Sequence, residues 1–373
     1  MKSIWEERSF SGETALAVVG AGITGLFTAL HYSRKHPDHR VVVLESGPHP
    51  VGASVKNAGF ACFGSPSELL HDLDALGETT ALQRVEERWH GLLELRQELG
   101  DEAIGFEPVG GYEIFRADNV LYTRVAERFD SLNAALRGIL GKDVFVWADD
   151  RIAAMGLGAG HMTWNALEGA VDSGKLMRAL LRKVQESGVE VRFNAKVGSW
   201  TEGQHAVALR IHDGSALHAK HAVFATNGFS RALAPECGIL PARGQVLLTN
   251  AIPGLSLKGT FHLDEGYFYF RHYQGRVLIG GGRHLDKAGE TTEVDGTTPQ
   301  IQQALEEVLR TLVLPGKDFS IAQRWSGVMG FREQGGPPLV ERLSPRSVLA
   351  AGLGGIGVAV GIRVARQAVE LVG

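Results

Sequence analysis

Six residues near the start of the chain, Gly20-Ala-Gly-Ile-Thr-Gly25, limit its fold more than any other stretch. Before them runs Ala15-Leu-Ala-Val-Val19, a short apolar segment of the buried-strand kind. After them, residues 25–35 read as a helix stopped before Pro37, and residues 40–44 as a second buried strand ending at Glu45. Strand, helix and strand within about 30 residues make a βαβ unit with a parallel pair. In that setting the glycine spacing has a mechanical meaning. Gly20 allows the tight turn, Gly22 lets the main chain approach a pyrophosphate, and Gly25 lets helix and strand pack closely. The helix N-terminus offers N–H groups and positive partial charge to phosphates, which draws Ile23 and Thr24 into the site. Glu45, about 20 residues past Gly25, stands where a carboxylate accepts bonds from ribose hydroxyls, with Ser46 beside it. Its charge opposes a 2′-phosphate, which leaves NAD or FAD rather than NADP.

The 373 residues suffice for one large or two interleaved domains. Glycine is abundant, with 48 residues against a usual share of about 7%. A net charge of −4 without long basic runs excludes an electrostatic footprint for nucleic acid. Cys62 and Cys237 have no metal-type spacing, so neither a metal site nor a disulfide framework is expected. Residues 1–14 carry Lys2, Glu6, Glu7 and Arg8 and lack a signal-peptide core. No apolar stretch reaches the roughly 18 residues of a membrane span. A cytoplasmic location is the expectation.

Helical patterns cover residues 67–99, 121–140, 172–187 and 301–312; strand patterns cover 111–116, 189–193, 207–211, 222–225, 245–249, 266–271, 276–279 and 348–351. The fold class is α/β: a Rossmann-like nucleotide-binding domain with a second, mixed β-sheet domain of α+β character. The first is expected to be discontinuous, from residues 1–80, 146–230 and 325–373, and the second from 81–145 and 231–324.

Two further blocks favour FAD. Gly52-Ala-Ser-Val-Lys-Asn-Ala-Gly-Phe60 follows the second strand, and its small and amide-bearing residues suit a flat ring and a ribityl chain. Ala351-Gly-Leu-Gly-Gly-Ile-Gly357 joins a strand to a helix whose dipole can stabilise negative charge near flavin N1. Either block alone is equally well a turn and a helix cap.

With these blocks, Ala225-Thr-Asn-Gly228, Pro241-Ala-Arg-Gly-Gln245 and the stretch 325–361, nearly the whole chain resembles the D-amino acid oxidase superfamily. That group contains glycine oxidase, sarcosine oxidase and related amine oxidoreductases. The resemblance implies an FAD domain and a substrate domain. It implies that Ser54, Lys56, Asn57 and Ala58 lie along the flavin and that Val197 meets the adenine. It also places Ala225, Asn227 and Gly228 in the FAD site and brings Gly354, Gly355, Ile356 and Gly357 to the flavin ring.

In Gly266-Tyr-Phe-Tyr-Phe-Arg271, strand alternation puts Tyr267, Tyr269 and Arg271 on one face, as a candidate substrate wall. The alternative is a solvent-facing strand with Phe268 and Phe270 in the core. His262 and His272 carry less information, since a lone strand histidine is more often structural. Two departures from the family pattern matter. Met329 stands where glycine oxidase-like members carry a carboxylate-binding arginine, and methionine cannot replace that fork. The strand at 276–280 lacks the oxygen-promoting lysine of sarcosine oxidase-like members, so Lys56 substitutes for it or the acceptor is not oxygen. No cysteine stands near Trp325, so FAD is expected to be non-covalent. The expected reaction is hydride transfer from a small amine or amino acid to flavin N5, with Tyr267, Tyr269, Arg271 and Lys56 as catalytic candidates. The rivals are a flavin hydroxylase or NAD(P)H-linked reductase, and a non-catalytic FAD-binding protein.

Overall fold

The computed structural model describes residues 3–6 and 12–372. The expectation about a signal peptide at residues 1–14 therefore lies partly outside the described residues. The strands begin with β1 (Thr14–Val19), β2 (Val41–Leu44), β3 (Phe60–Ala61), β4 (Gly111–Phe115), β5 (Val146–Trp147) and β6 (His161–Asn165). There follow β7 (Gly169–Ala170), β8 (Glu190–Arg192), β9 (Val197–Glu202), β10 (Val207–Ile211), β11 (Ala216–Phe224) and β12 (Ile239–Thr249). The last are β13 (Thr260–Leu263), β14 (Phe268–Tyr273), β15 (Arg276–Gly281), β16 (Ile321–Arg332), β17 (Leu339–Ser344) and β18 (Ser347–Ala351). The longer helices are α1 (Ile23–Lys35), α2 (Pro66–Leu76), α3 (Glu78–Leu99), α4 (Val120–Leu140), α5 (Ser173–Glu186), α6 (Pro299–Val308) and α7 (Gly357–Val372).

Two compact units result. The first comprises Met1–Val55, Gly174–Ala242 and Met329–Gly373, the second Lys56–Ser173 and Arg243–Val328. In the first, the sheet order is β17-β18-β11-β1-β2-β8, with β10 and β9 extending from β11. β1 pairs in parallel with β2 and β11, and β11 in parallel with β18. Every residue of β1 and β2 is buried, as strands of a sheet covered on both faces require. The predicted βαβ unit is present.

The second unit holds a sheet of order β16-β12-β15-β14-β13-β4-β6-β5. One face packs Leu247, Phe261, Phe270 and Ile279 against Ile301, Leu305 and Val308 of α6. The other face divides in two. Over β4, helices α2, α3 and α4 close around Phe63, Leu69, Phe115, Phe129 and Phe145. Over β12, β14 and β15 a smaller cluster forms from Ala58, Val246, Leu248 and Leu278, with Phe60, Tyr269, Tyr273 and Trp325 packed on it. The Pro241-Ala-Arg-Gly-Gln245 block has a structural use: Arg243 Nε and Nη2 donate to the fully buried Glu290 at 2.8 Å each, and Gln245 Nε2 donates at 2.8 Å.

Three departures from expectation concern element and unit boundaries near the site. The helical pattern over 67–99 is two helices, because Gly77 sits at φ 77° and ends the first. The strand read from residue 266 begins at Phe268, because Asp264, Glu265 and Gly266 all take positive φ in a turn. The units change over at Val55/Lys56 and Ser173/Gly174, where the expectation put these changes after residue 80 and at 146. Helices α2 and α3 share the α4 cluster, and β5 and β6 join β4, so these segments pack with the second unit. Among the described residues no helix is long and apolar enough to cross a membrane.

Candidate active site

In the first unit the glycine turn has no room for side chains. Gly20 lies at φ +104°, and a β-carbon on Gly25 would fall 1.9 Å from the Gly20 carbonyl oxygen. A β-carbon on Gly22 would approach Ser54 Oγ at 3.0 Å, so main chain is what this turn presents. Gly22 caps α1 without a side-chain hydrogen bond, while the Ile23 N–H donates to Ser54 Oγ at 3.0 Å. Thr24 and Gly25 are buried in the first turn of α1.

Glu45 is almost wholly buried, and its carboxylate accepts from Ala21 N at 2.9 Å and Gly47 N at 3.1 Å. Ser46 Oγ donates to the same carboxylate at 3.1 Å. Asn194 N and Ala195 N donate to the carbonyls of Gly47 and Glu45, which draws Val197, at the start of β9, to this end of the sheet. Each carboxylate oxygen has two lone pairs, so acceptor capacity remains for ribose hydroxyls.

The C-terminal glycine block is held from the same unit. Asn227, in the left-handed region at φ 46°, accepts through Oδ1 from Gly352 N at 3.0 Å and Leu353 N at 3.3 Å. Ala225 N continues the β1 ladder to Val19 O, and Gly228 follows in a 3₁₀ turn. Gly354 N donates to Gly330 O at 2.8 Å, and Ile356 O accepts from Val360 N. A β-carbon on Gly355 would meet nothing within 4 Å, and Gly357 opens α7. Two main-chain cradles, each at a helix start and each backed by glycine, fit the pyrophosphate and ring system of FAD.

In the second unit, residues 56–60 form a braced turn. Asn57 Oδ1 accepts from Gly59 N at 2.9 Å and from Ser173 Oγ at 2.7 Å. Trp325 Nε1 donates to Lys56 O at 2.9 Å. Lys56 Nζ pairs with Asp295 at 2.6 Å. Ala58 is buried in the small cluster of this sheet face.

Tyr269 and Arg271 do share one face of β14; Tyr267 does not join them. Tyr267 sits in the preceding turn, 45% exposed, against the His284 ring at 4.4 Å. Tyr269 lies over Gly280 of β15, where a β-carbon would come 2.6 Å from its ring. The Phe60 ring stands edge-on to it at 5.6 Å. Burial pushes the Tyr269 phenol up to about 12, so it stays protonated at neutral pH. Arg271 is 3% exposed, and its Nη1 donates to the carbonyls of Gly59 at 2.6 Å, Val171 at 2.9 Å and Ala58 at 3.4 Å. The expectation of a guanidinium presented to substrate meets a guanidinium bound to main chain. Alternation along β14 located Arg271, but its carbonyl partners come from segments about 100 and 200 residues away and leave no local signature.

Asp295 and Trp325 as partners of Lys56 were not legible in the sequence, nor was His262 as a member of the Tyr269 face. The only local signal for His262 was a histidine inside a short apolar run.

A family model described as FAD dependent oxidoreductase (DAO) matches residues 15–371. A search of curated proteins finds no match. Among solved structures, glycine oxidase from Bacillus cereus aligns with a TM-score of 0.76 at 18% identity, covering 96% of this chain and 97% of that one. Iminodiacetate oxidase from Chelativorans sp. aligns with a TM-score of 0.75 at 18% identity, covering 96% and 95%. L-proline dehydrogenase from P. horikoshii gives 0.74 at 16% identity, covering 96% and 93%. At these identities the likeness is one of fold.

Proposed function

Because the chain belongs to the DAO family of FAD-dependent oxidoreductases, we propose that it oxidises the C–N bond of a small amine or amino acid. FAD, held non-covalently, supplies a hydride acceptor at flavin N5. The substrate loses hydride from its α-carbon while the nitrogen lone pair forms the C=N bond. Water then hydrolyses the imine to a carbonyl compound and ammonia or a smaller amine.

In the first unit we assign the pyrophosphate to the Gly20–Gly25 turn, the ribose to Glu45 and the flavin end to residues 354–357. In the second unit, the Tyr269 face with Phe60 is assigned to the substrate. The observation that carries this reading is the neutrality of the Tyr269–His262 pair on that face. Tyr269 keeps its proton, and burial lowers His262 to about 4, so its imidazole is uncharged at neutral pH. Hydride loss from a neutral amine needs orientation and desolvation rather than an ionised base. Arg271 acts by holding the Ala58–Gly59 turn in place. The glycine oxidase, iminodiacetate oxidase and L-proline dehydrogenase folds, whose names give oxidation or dehydrogenation of nitrogen-bearing acids, support the same class.

The test is anaerobic addition of an amine panel, and separately of NADH and NADPH, to the FAD-loaded protein. Bleaching of the yellow band by an amine is the expected outcome. Bleaching by the nicotinamides alone would transfer the chain to the reductase class, and no bleaching by any donor would indicate a non-catalytic flavoprotein.

A further inference from the structure

Across the second sheet, cross-strand pairing lines up Thr163, Glu113, His262, Tyr269, Gly280 and Val246 as one row. Paired positions present their side chains to the same face. His262 is 6% exposed, its ring is met edge-on by Phe60 at 5.3 Å, and its Nε2 is buried without a hydrogen-bond partner. Leaving such an atom unmatched is destabilising, and an orphaned buried polar group calls for a ligand or an ordered water.

Charge on this row points to the kind of ligand. The row contains no cation. Its one carboxyl, Glu113, is pushed up to about 8 by burial and is bonded to Ser67 N and Oγ. Arg271, two residues along β14, is bound to main-chain carbonyls. Arg276 lies four residues from Gly280, at the far end of β15. A carboxylate placed over Tyr269 would face a guanidinium already committed to main-chain carbonyls and would lack a bidentate partner, whereas an amide needs only an ordinary hydrogen bond.

We propose that His262 is a specificity-determining residue whose Nε2 exchanges a hydrogen bond with an uncharged polar group, an amide or hydroxyl, on an amine substrate that lacks a free carboxylate. The inference rests on the reading that the Tyr269 face takes the substrate. A neutral imidazole can serve as donor or acceptor at Nε2, according to tautomer.

Two probes of equal size separate charge from shape: N-methylglycinamide and N-methylglycine. With the FAD-loaded protein under anaerobic conditions, half-saturation of bleaching is expected at a concentration at least about tenfold lower for the amide than for the acid. In H262F that preference collapses by about tenfold, the equivalent of one hydrogen bond, while H262Q, which keeps a polar group, retains part of it. Thermal stability without ligand is expected to be equal or higher in H262F, because no orphaned nitrogen is then buried. A preference for the acid, or an unchanged preference in H262F, overturns the proposal, and so does a loss of stability in H262F with ligand response intact.

A second measurement needs no variant. In native protein labelled with ¹⁵N at histidine, the His262 Nε2 resonance, assigned by its loss in H262Q, is expected to move when the amide is added. If it moves and the flavin stays oxidised with this and every other amine of the panel, the oxidation reading fails and the binding inference stands. If the flavin bleaches and the resonance does not move, the inference fails and the oxidation reading stands. If neither responds, the inference fails, and the oxidation reading fails with it only when every other amine of the panel also leaves the flavin oxidised.

Discussion

The Arg271 guanidinium shows how a residue that alternation selects for one role can be taken for another. Its Nη1 donates to three main-chain carbonyls, two of them on the turn that carries Asn57 and Gly59. A charged donor lost from buried carbonyls costs about 2–4 kcal/mol. R271A is therefore expected to lower the unfolding free energy from urea titration by an amount in that range, with R271K recovering a minor part because an ammonium cannot span all three oxygens. Were Arg271 a substrate clamp, R271A would leave stability intact and shift only the substrate dependence. At this scale the phosphate turn was legible because glycine spacing is local and its demand is steric. A β-carbon at Gly25 would collide with Gly20 itself, five residues away. His262 and Asp295 were not legible, since their surroundings come from distant segments.

At the scale of elements, buried carboxyls fasten helices and loops to the second sheet. Glu113 of β4 accepts from Ser67 in the first turn of α2, and Glu168 accepts from the main chain of Phe63 and Gly64. Burial raises Glu113 from 4.5 to about 8 and Glu168 from 4.5 to about 7. Because their folded values exceed the unfolded ones, the native state binds more protons across that interval. Stability from these groups is full below about pH 4.5 and is lost as the pH rises toward 8. In denaturant titrations between pH 5 and about 8, E113Q is expected to flatten the decline, and a slope equal to wild type would contradict the assignment.

The Asn227 latch is a second element-scale case. N227A removes the acceptor for Gly352 N and Leu353 N and is expected to raise the FAD dissociation constant by about tenfold, measured by ultrafiltration. An unchanged constant would detach the C-terminal glycine block from FAD binding. Long periodic segments were legible at this scale, while breaks depended on single residues. Gly77 divided one helical pattern, and a left-handed turn at 264–266 moved the start of β14 and set Tyr267 apart.

For the whole molecule, two interleaved units were the expectation because strands and helices alternate at the ends and strands accumulate in the middle. The crossover points were harder to read. Helices α2 and α3 carry no mark of which sheet they serve, and only the shared cluster with Phe115 and Phe145 assigns them. The central claim is that bound FAD takes two electrons from a C–N bond and leaves a carbonyl compound. It is tested by a single anaerobic turnover of the FAD-loaded protein with N-methylglycinamide, in which bleached flavin and released aldehyde are counted together. The account predicts one aldehyde for each flavin reduced. Bleaching without aldehyde, or a flavin that stays yellow with this and every other amine, would contradict it.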